Sequence, residues 1–270
     1  LYSIPIAVLA RGVLYNQRLL REAGTTNIPE TRQEFQELCQ KLEDAEIKPI
    51  MNHYKETLLT TTSQLFWVQM VQKDQEESIN ALADFLDSTL LYGNHNALTT
   101  DKDTARNYFF IERYAMLNNE GTWIEPVLKK SAPELEKHIK IGPIPFYEEA
   151  EKNKFPIEIL TLSVTKSSQH PQEAKEFLTW LSTSEDARDY LEETMGLLSV
   201  SGMQDERTDH LSPIASQIKS AVLEGKAVYD LSCEISEEQK EKNGEIWGRY
   251  LTGEIDREQV RVQVQSLGQN

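Results

Sequence analysis

The sequence is poor in the residue types that would announce a chemistry. Among 270 residues there are two cysteines, Cys39 and Cys233, too few for a disulfide framework. Cys39 sits at helical spacing within Phe35-Gln36-Glu37-Leu38-Cys39-Gln40-Lys41-Leu42 and reads as a small core residue. Five histidines, His53, His95, His138, His170 and His210, are scattered without HExxH or clustered Cys/His spacing, so no metal or other cofactor is expected. There is no GxSxG, P-loop or GxGxxG, which removes the usual nucleophile elbow and phosphate cradles. No apolar run approaches the roughly 18 residues that a membrane span needs. Positive charge is also scarce, with 28 Lys+Arg against 44 Asp+Glu and a net charge of −16. A field of that sign repels phosphate backbones and argues against nucleic acid as a partner. The start, Leu1-Tyr2-Ser3-Ile4-Pro5, has no initiator Met, basic n-region or long apolar h-region, as expected of a processed chain or a fragment.

What is present is an alternation of short apolar strands and amphipathic helices, an α/β pattern. Residues 4–15 read as strand, break at Gly12, strand. A short helix over 16–23 stops at Gly24, and Thr31-Arg32-Gln33-Glu34 forms a capping box for the next. Pro49-Ile50-Met51 is a strand. Helices follow over 63–72 and 76–91, the second with Ile79, Leu82, Phe85 and Leu86 inward, and over 101–111. Tyr114–Leu117 is a buried strand leading to Gly121-Thr122-Trp123 and a short helix from there to Lys130. Strands are expected near 139–146 and 157–165. A helix from His170-Pro171 carries Phe177, Leu178 and Leu181 inward, and others cover 184–194, 213–223, 236–251 and 256–267. Trp67, Trp180 and Trp247 sit in helical apolar stripes and read as core.

Several stretches together resemble the extracellular solute-binding proteins of sugar-type ABC importers, the branch that includes the maltodextrin-binding protein. Ile4-Pro5-Ile6-Ala7-Val8 leading to Leu14-Tyr15-Asn16-Gln17-Arg18-Leu19-Leu20 is similar to that family's strand after the first hinge crossing. Pro29-Glu30-Thr31-Arg32-Gln33-Glu34-Phe35 matches a Pro-Thr-x-x-Glu-Phe-type helix start. Tyr92-Gly93-Asn94-His95-Asn96-Ala97-Leu98-Thr99-Thr100-Asp101 resembles the link before the family's Gly-x-x-Ala-Met strand, here Glu112-Arg113-Tyr114-Ala115-Met116 with the glycine changed. Ile141-Gly142-Pro143-Ile144-Pro145-Phe146, the Pro171–Leu181 helix and Tyr250-Leu251-Thr252-Gly253-Glu254-Ile255 complete an ordered set.

The resemblance implies a type II periplasmic-binding fold of two lobes joined by a hinge, with the first lobe largely missing. It assigns residues 1–159 to the second lobe, 160–206 to a remnant of the first and 207–270 to helices of the second. It also implies a role: capture of a small polar solute, a mono- or oligosaccharide, by cleft closure and delivery to a membrane permease. The location implied is extracellular or periplasmic, with a lipid anchor in the full-length protein. A chain lacking most of one lobe is expected to bind weakly or not at all, and to expose apolar surface.

Sugar rings stack on aromatic faces while carboxylates and amides bond the hydroxyls. On the family pattern Trp123 is the candidate plate, the alternative being a Trp packed under the following helix. Glu56 falls where the maltodextrin-binding relative uses a carboxylate, the alternative being a solvated loop acid. Tyr229 and Asp230 stand before the last helices, and Arg11 shares the strand parity of Leu9; each is a further candidate for the cleft. Leu9, Leu58 and Glu238-Gln239 depart from the relative's glutamate and aromatic plates, which speaks against maltodextrin itself. Two other classes stay open. A glycosidase needs two carboxylates held roughly 5–9.5 Å apart, and 44 acids give no discriminating signal. A non-transport partner-binding module fits the acidic helices but not the interleaved strands.

Overall fold

A computed structural model describes residues 2–55, 57–58, 60–62, 75–204, 211–230 and 235–267. Its spine is a single strand, β1 (Tyr2–Asn16). The break expected at Gly12 is absent, because β4 (Ile139–Gly142) passes close beside it. A Cβ at residue 12 would stand 2.2 Å from the Gly142 carbonyl oxygen. Glycine here serves the approach of two backbones rather than a turn.

β1 changes partners along its length. Residues 2–10 pair antiparallel with β5 (Phe155–Val164), the register running from Tyr2↔Val164 to Ala10↔Ile157. On the other side Ala7 and Val8 pair with β6 (Leu198–Ser199). From Arg11 onward that side is taken by β3 (Met116–Gly121), beginning at Arg11↔Gly121, while β4 takes the first side from Val13↔Gly142. The edges are parallel: β2 (Ile50–Met51) on β3, and β7 (Ala227–Tyr229) on β5. The result is a mixed sheet in the order β2-β3-β1-β5-β7.

The helices follow the apolar stripes of the sequence. They are α1 (Gln17–Glu22), α2 (Arg32–Asp44), α3 (Gln75–Tyr92), α4 (Lys102–Phe110), α5 (Glu125–Ser131) and α6 (Pro133–Glu136). After β5 come α7 (Pro171–Thr183), α8 (Glu185–Asp189), α9 (Pro213–Leu223), α10 (Glu237–Leu251) and α11 (Arg257–Leu267). The Thr31 hydroxyl caps α2 by accepting from Glu34 N at 3.2 Å, but the reciprocal bond of the expected box has moved. The Glu34 carboxylate accepts from Glu30 N at 2.7 Å, one residue further back. The helix expected over 63–72, with Trp67, lies outside the described residues, as do Cys233 and His210.

Alternation along β1 divides the core. Val8, Ala10 and Leu14 enter one cluster with Phe109, Ile124, Leu128, Phe155, Leu198, Ile214 and Ile218. On the opposite face Val13 and Tyr15 join a cluster with Phe35, Phe85, Phe146 and Trp247, and Cys39 is buried among them. Further back on that same face Ala7 and Leu9 pack with Leu181, Leu191 and Leu197. Burying each large side chain stabilises by roughly 1.5–3 kcal/mol, so each cluster is a substantial unit. Arg11, whose parity matches 7, 9, 13 and 15, stands in the gap between two apolar clusters on one face.

Two core expectations fail on α7. Leu178 is buried, but Phe177 is 56% and Trp180 47% exposed, their rings stacked on each other at 5.9 Å. The amphipathic stripe reports which face a helix would cover, and here nothing among the described residues covers it. Trp247 is buried as expected.

Candidate functional site

Arg11 and Trp123 meet at the partner change in β1. Trp123 belongs to a 3₁₀ turn, Thr122–Ile124, that follows β3 directly. Gly121 lets the indole lie back over the strand end: a Cβ there would stand 2.6 Å from two atoms of the Trp123 six-membered ring and 2.0 Å from Ala10 O. Above the ring lies the Arg11 guanidinium, its central carbon 4.9 Å from the centroid. Such cation–π stacking contributes on the order of 0.5–2 kcal/mol and restrains both groups. Arg11 is held from its other side by Glu158 of β5, with Nε at 3.1 Å and Nη2 at 2.5 Å from the same Oε1.

The indole edge is fixed separately. Trp123 Nε1 donates to Glu120 Oε2 at 2.8 Å, and Arg106 of α4 grips both oxygens of that carboxylate, Nε–Oε1 at 2.6 Å and Nη2–Oε2 at 2.9 Å. Glu120 is buried, and a buried carboxylate is tolerable only with this degree of pairing. A register irregularity between Gly12 and Leu14, with Asn119 at φ 56°, interrupts the β3 ladder and aims Glu120 at these donors. His53 Nε2 lies 2.9 Å from Asn118 O and 3.9 Å from Glu120 Oε1. A backbone carbonyl only accepts, so Nε2 carries a proton.

Behind the plate runs a buried polar network. Asn118 Nδ2 donates to Asn52 Oδ1 and to the Tyr54 hydroxyl, Asn52 N donates to Asn94 Oδ1, and Tyr54 bonds Thr89. Burial pushes the Tyr54 phenol above its ordinary range, keeping it a neutral donor and acceptor. Among the described residues, neither amide atom of buried Asn119 has a partner.

Beneath the Trp123 turn a second carboxylate is tied down. Glu125 opens α5 and accepts from the Ser212 hydroxyl and from Ala215 N at 3.2 Å, at the N-terminus of α9. Burial pushes its carboxyl up to about 7, partly offset by these hydrogen bonds.

The other candidates fall elsewhere. Tyr229 is half-exposed, but its register with Ile157, and through it with Ala10, sets it on the opposite side of the sheet from Arg11. Asp230 is buried, its backbone N–H bonded to Ile157 O at 2.7 Å, so it does not offer its carboxylate to an open surface. Glu56 lies outside the described residues. Residues that the sequence reading missed are Glu120, Arg106 and Glu158. A charged residue within the fully buried run Met116–Gly121 was the available signal for the first. Among the described residues no group of three or more His, Cys, Asp or Glu side chains could hold a metal, and no helix is long and apolar enough to cross a membrane.

A sequence model of the bacterial extracellular solute-binding proteins matches residues 2–188. A multiple sugar-binding protein of Streptococcus mutans is 22% identical over 236 residues, 79% of this chain and 54% of its own length. This chain therefore spans about half the length of that curated relative. Among solved structures, a chitin oligosaccharide binding protein superposes with a TM-score of 0.75 at 16% identity, over 99% of this chain and 71% of its own. A T. maritima MalE3 bound to maltose gives 0.76 at 16%, over 98% and 72%. RafE in complex with raffinose gives 0.74 at 16%, over 99% and 72%. These likenesses carry the fold: a type II periplasmic-binding architecture.

Proposed function

Since this chain belongs to the bacterial extracellular solute-binding protein family, we propose that it is the ligand-recognition part of a sugar importer. It captures a mono- or oligosaccharide between two bodies and presents it to a membrane permease. The observation that carries this reading is the Trp123 plate, anchored by Glu120 and set at the only polar interruption between two apolar clusters on one face of β1. An indole face suits the C–H side of a pyranose, and the flanking polar groups suit its hydroxyls. The named sugar-binding relatives support the same ligand class.

The division into bodies follows the family resemblance. Residues 1–159 and 207–270 form the second lobe in this reading, and 160–206 belong to the first. The exposed apolar side chains of Leu160 and Leu162 on β5, with Phe177 and Trp180 on α7, are then surface that the remainder of the first lobe covers. Closure shifts an open–closed balance toward the state with more ligand contacts and transforms nothing. Arg11 lines the cleft in this reading. Export to the cell surface, with a lipid anchor, completes the role.

The test is calorimetric titration of the complete gene product with maltose, raffinose, stachyose and chitin oligosaccharides. Saturable binding is expected for one of these, weakened at least about tenfold by Trp123→Ala, a loss of about 1.4 kcal/mol. Chromatography should find the sugar unaltered. Turnover, or affinity indifferent to Trp123→Ala, refutes the reading.

A further inference from the structure

Arg11 and Glu158 share one oxygen and leave two groups spare. Both Arg11 nitrogens that reach the carboxylate, Nε and Nη2, converge on Glu158 Oε1. Among the described residues, Arg11 Nη1 and Glu158 Oε2 have no partner. The two side chains keep 22% and 36% of their surface in solvent. A donor and an acceptor therefore stand side by side, next to an aromatic plate whose orientation is fixed from below by Glu120.

A hydroxyl is the group that satisfies both at once, since it donates one hydrogen and accepts through its oxygen. A carboxylate can only accept, so it would gain from Arg11 but meet like charge at Glu158. An ammonium can only donate, so it would pair with Glu158 but meet like charge at Arg11. Each charge at the plate is already balanced within the protein, Arg11 by Glu158 and Glu120 by Arg106. These two ion pairs therefore offer no unbalanced charge to an ionic ligand.

We infer that Arg11 and Glu158 form a hydroxyl-reading pair beside Trp123, which selects neutral saccharides against uronic-acid and amino-sugar counterparts. This rests on the sugar-binding reading above and adds Glu158 as a specificity-determining residue. The guanidinium lies over one face of the indole, so a sugar hydroxyl meets the pair on that side of the ring, with Trp123 as a wall of the subsite. Sites built around such polar pairs discriminate strongly, because a mismatched ligand leaves buried or charged groups unpaired.

The experiment is a glycan array probed with the complete gene product, holding neutral oligosaccharides and matched members with one uronic acid or one free amine. The wild type, Glu158→Gln, Arg11→Lys and Trp123→Ala are compared, with circular dichroism melts to establish that each is folded. Binding is expected only on neutral members, falling at least tenfold in Glu158→Gln and in Arg11→Lys. Removing the negative charge in Glu158→Gln should also raise the relative signal of uronic-acid members. That change of preference is one a merely structural role would not produce. Neutral binding that depends on Trp123 but is indifferent to Glu158→Gln, or wild-type preference for an ionic member, overturns the pair and leaves the sugar-binding reading standing. No binding to any member overturns both.

Discussion

Gly121 and Glu120 decide whether the plate can exist. Replacing Gly121 by alanine places a methyl 2.6 Å from the indole and 2.0 Å from Ala10 O, a clash that strand and ring cannot both absorb. Overpacking of this kind costs roughly 1–3 kcal/mol. Gly121→Ala is therefore expected to lose stability of that order in urea titration, with red-shifted tryptophan emission as the ring is pushed toward solvent. Glu120→Ala takes one shared acceptor from Arg106 and from the indole N–H, and losing charge-assisted hydrogen bonds of this kind costs about 1.5–3 kcal/mol. The measurable outcome is a lowered unfolding midpoint and faster hydrogen exchange of the Trp123 indole proton. Trp123 and Arg11 were candidates from a family pattern and from strand parity, and the fold sets them in contact. Glu158 and Arg106 were not: each is one charge among many, and only the register of β5 and the placing of α4 bring them to the plate. The burial of Asp230 was not legible, because a loop position before helices says nothing of it.

At the scale of elements, α9 depends on a foreign cap. Its N-terminus is closed by Ser212 and by the Glu125 carboxylate from α5. Folding raises the Glu125 pKa from its ordinary 4.5 to about 7, so the folded chain binds more protons than the unfolded one between those values. Stability from this group is fully present below pH 4.5 and declines as pH rises through 7. Glu125→Gln keeps an acceptor for the cap without the charge. Its advantage over the wild type should grow by about 1–3 kcal/mol between pH 5 and pH 8, read as the difference in urea unfolding free energies. A second junction links α3 to α10 and α11, where Arg257 bonds Asp84, Asp87 and the Tyr250 hydroxyl. The site is half-exposed and screened, so Arg257→Ala is expected to cost no more than about 1 kcal/mol in thermal melts. Most helices were readable from caps and stripes, since both are local. The continuity of β1 through Gly12 was not, because the approach of β4 is a long-range fact.

Across the whole molecule, apolar surface is unevenly spent. Two clusters fill the faces of β1 around its second half, while Ile159, Leu160, Leu162, Phe177 and Trp180 remain open. Exposed large apolar side chains such as the stacked Phe177 and Trp180 pair mark candidate contact surfaces. The 270-residue polypeptide by itself is expected to bind the dye ANS, and Phe177→Ser with Trp180→Gln should lower that signal several-fold. Their effect on stability should stay within about 0.5 kcal/mol, as for other exposed positions. Dye binding unchanged by the pair would show that the patch lies elsewhere.

The exchange of partners along β1 has a mechanical consequence. On one side of β1 the pairing with β6 ends at Val8 and that with β3 begins at Arg11, and on the other the pairing with β5 ends at Ala10 and that with β4 begins at Val13, so none of these four strands runs unbroken alongside residues 8–13. Among the described residues the sheet thus carries a seam that β1 crosses. Bending strain gathers along such a line, and the Arg11–Trp123 contact bridges it as a rivet does, joining a strand that crosses the seam to a turn that starts beyond it. Loading that rivet stiffens the whole joint, so deuterium uptake at the amides of residues 9–13 should slow when the plate is occupied, while uptake at the ends of β1 stays as it was.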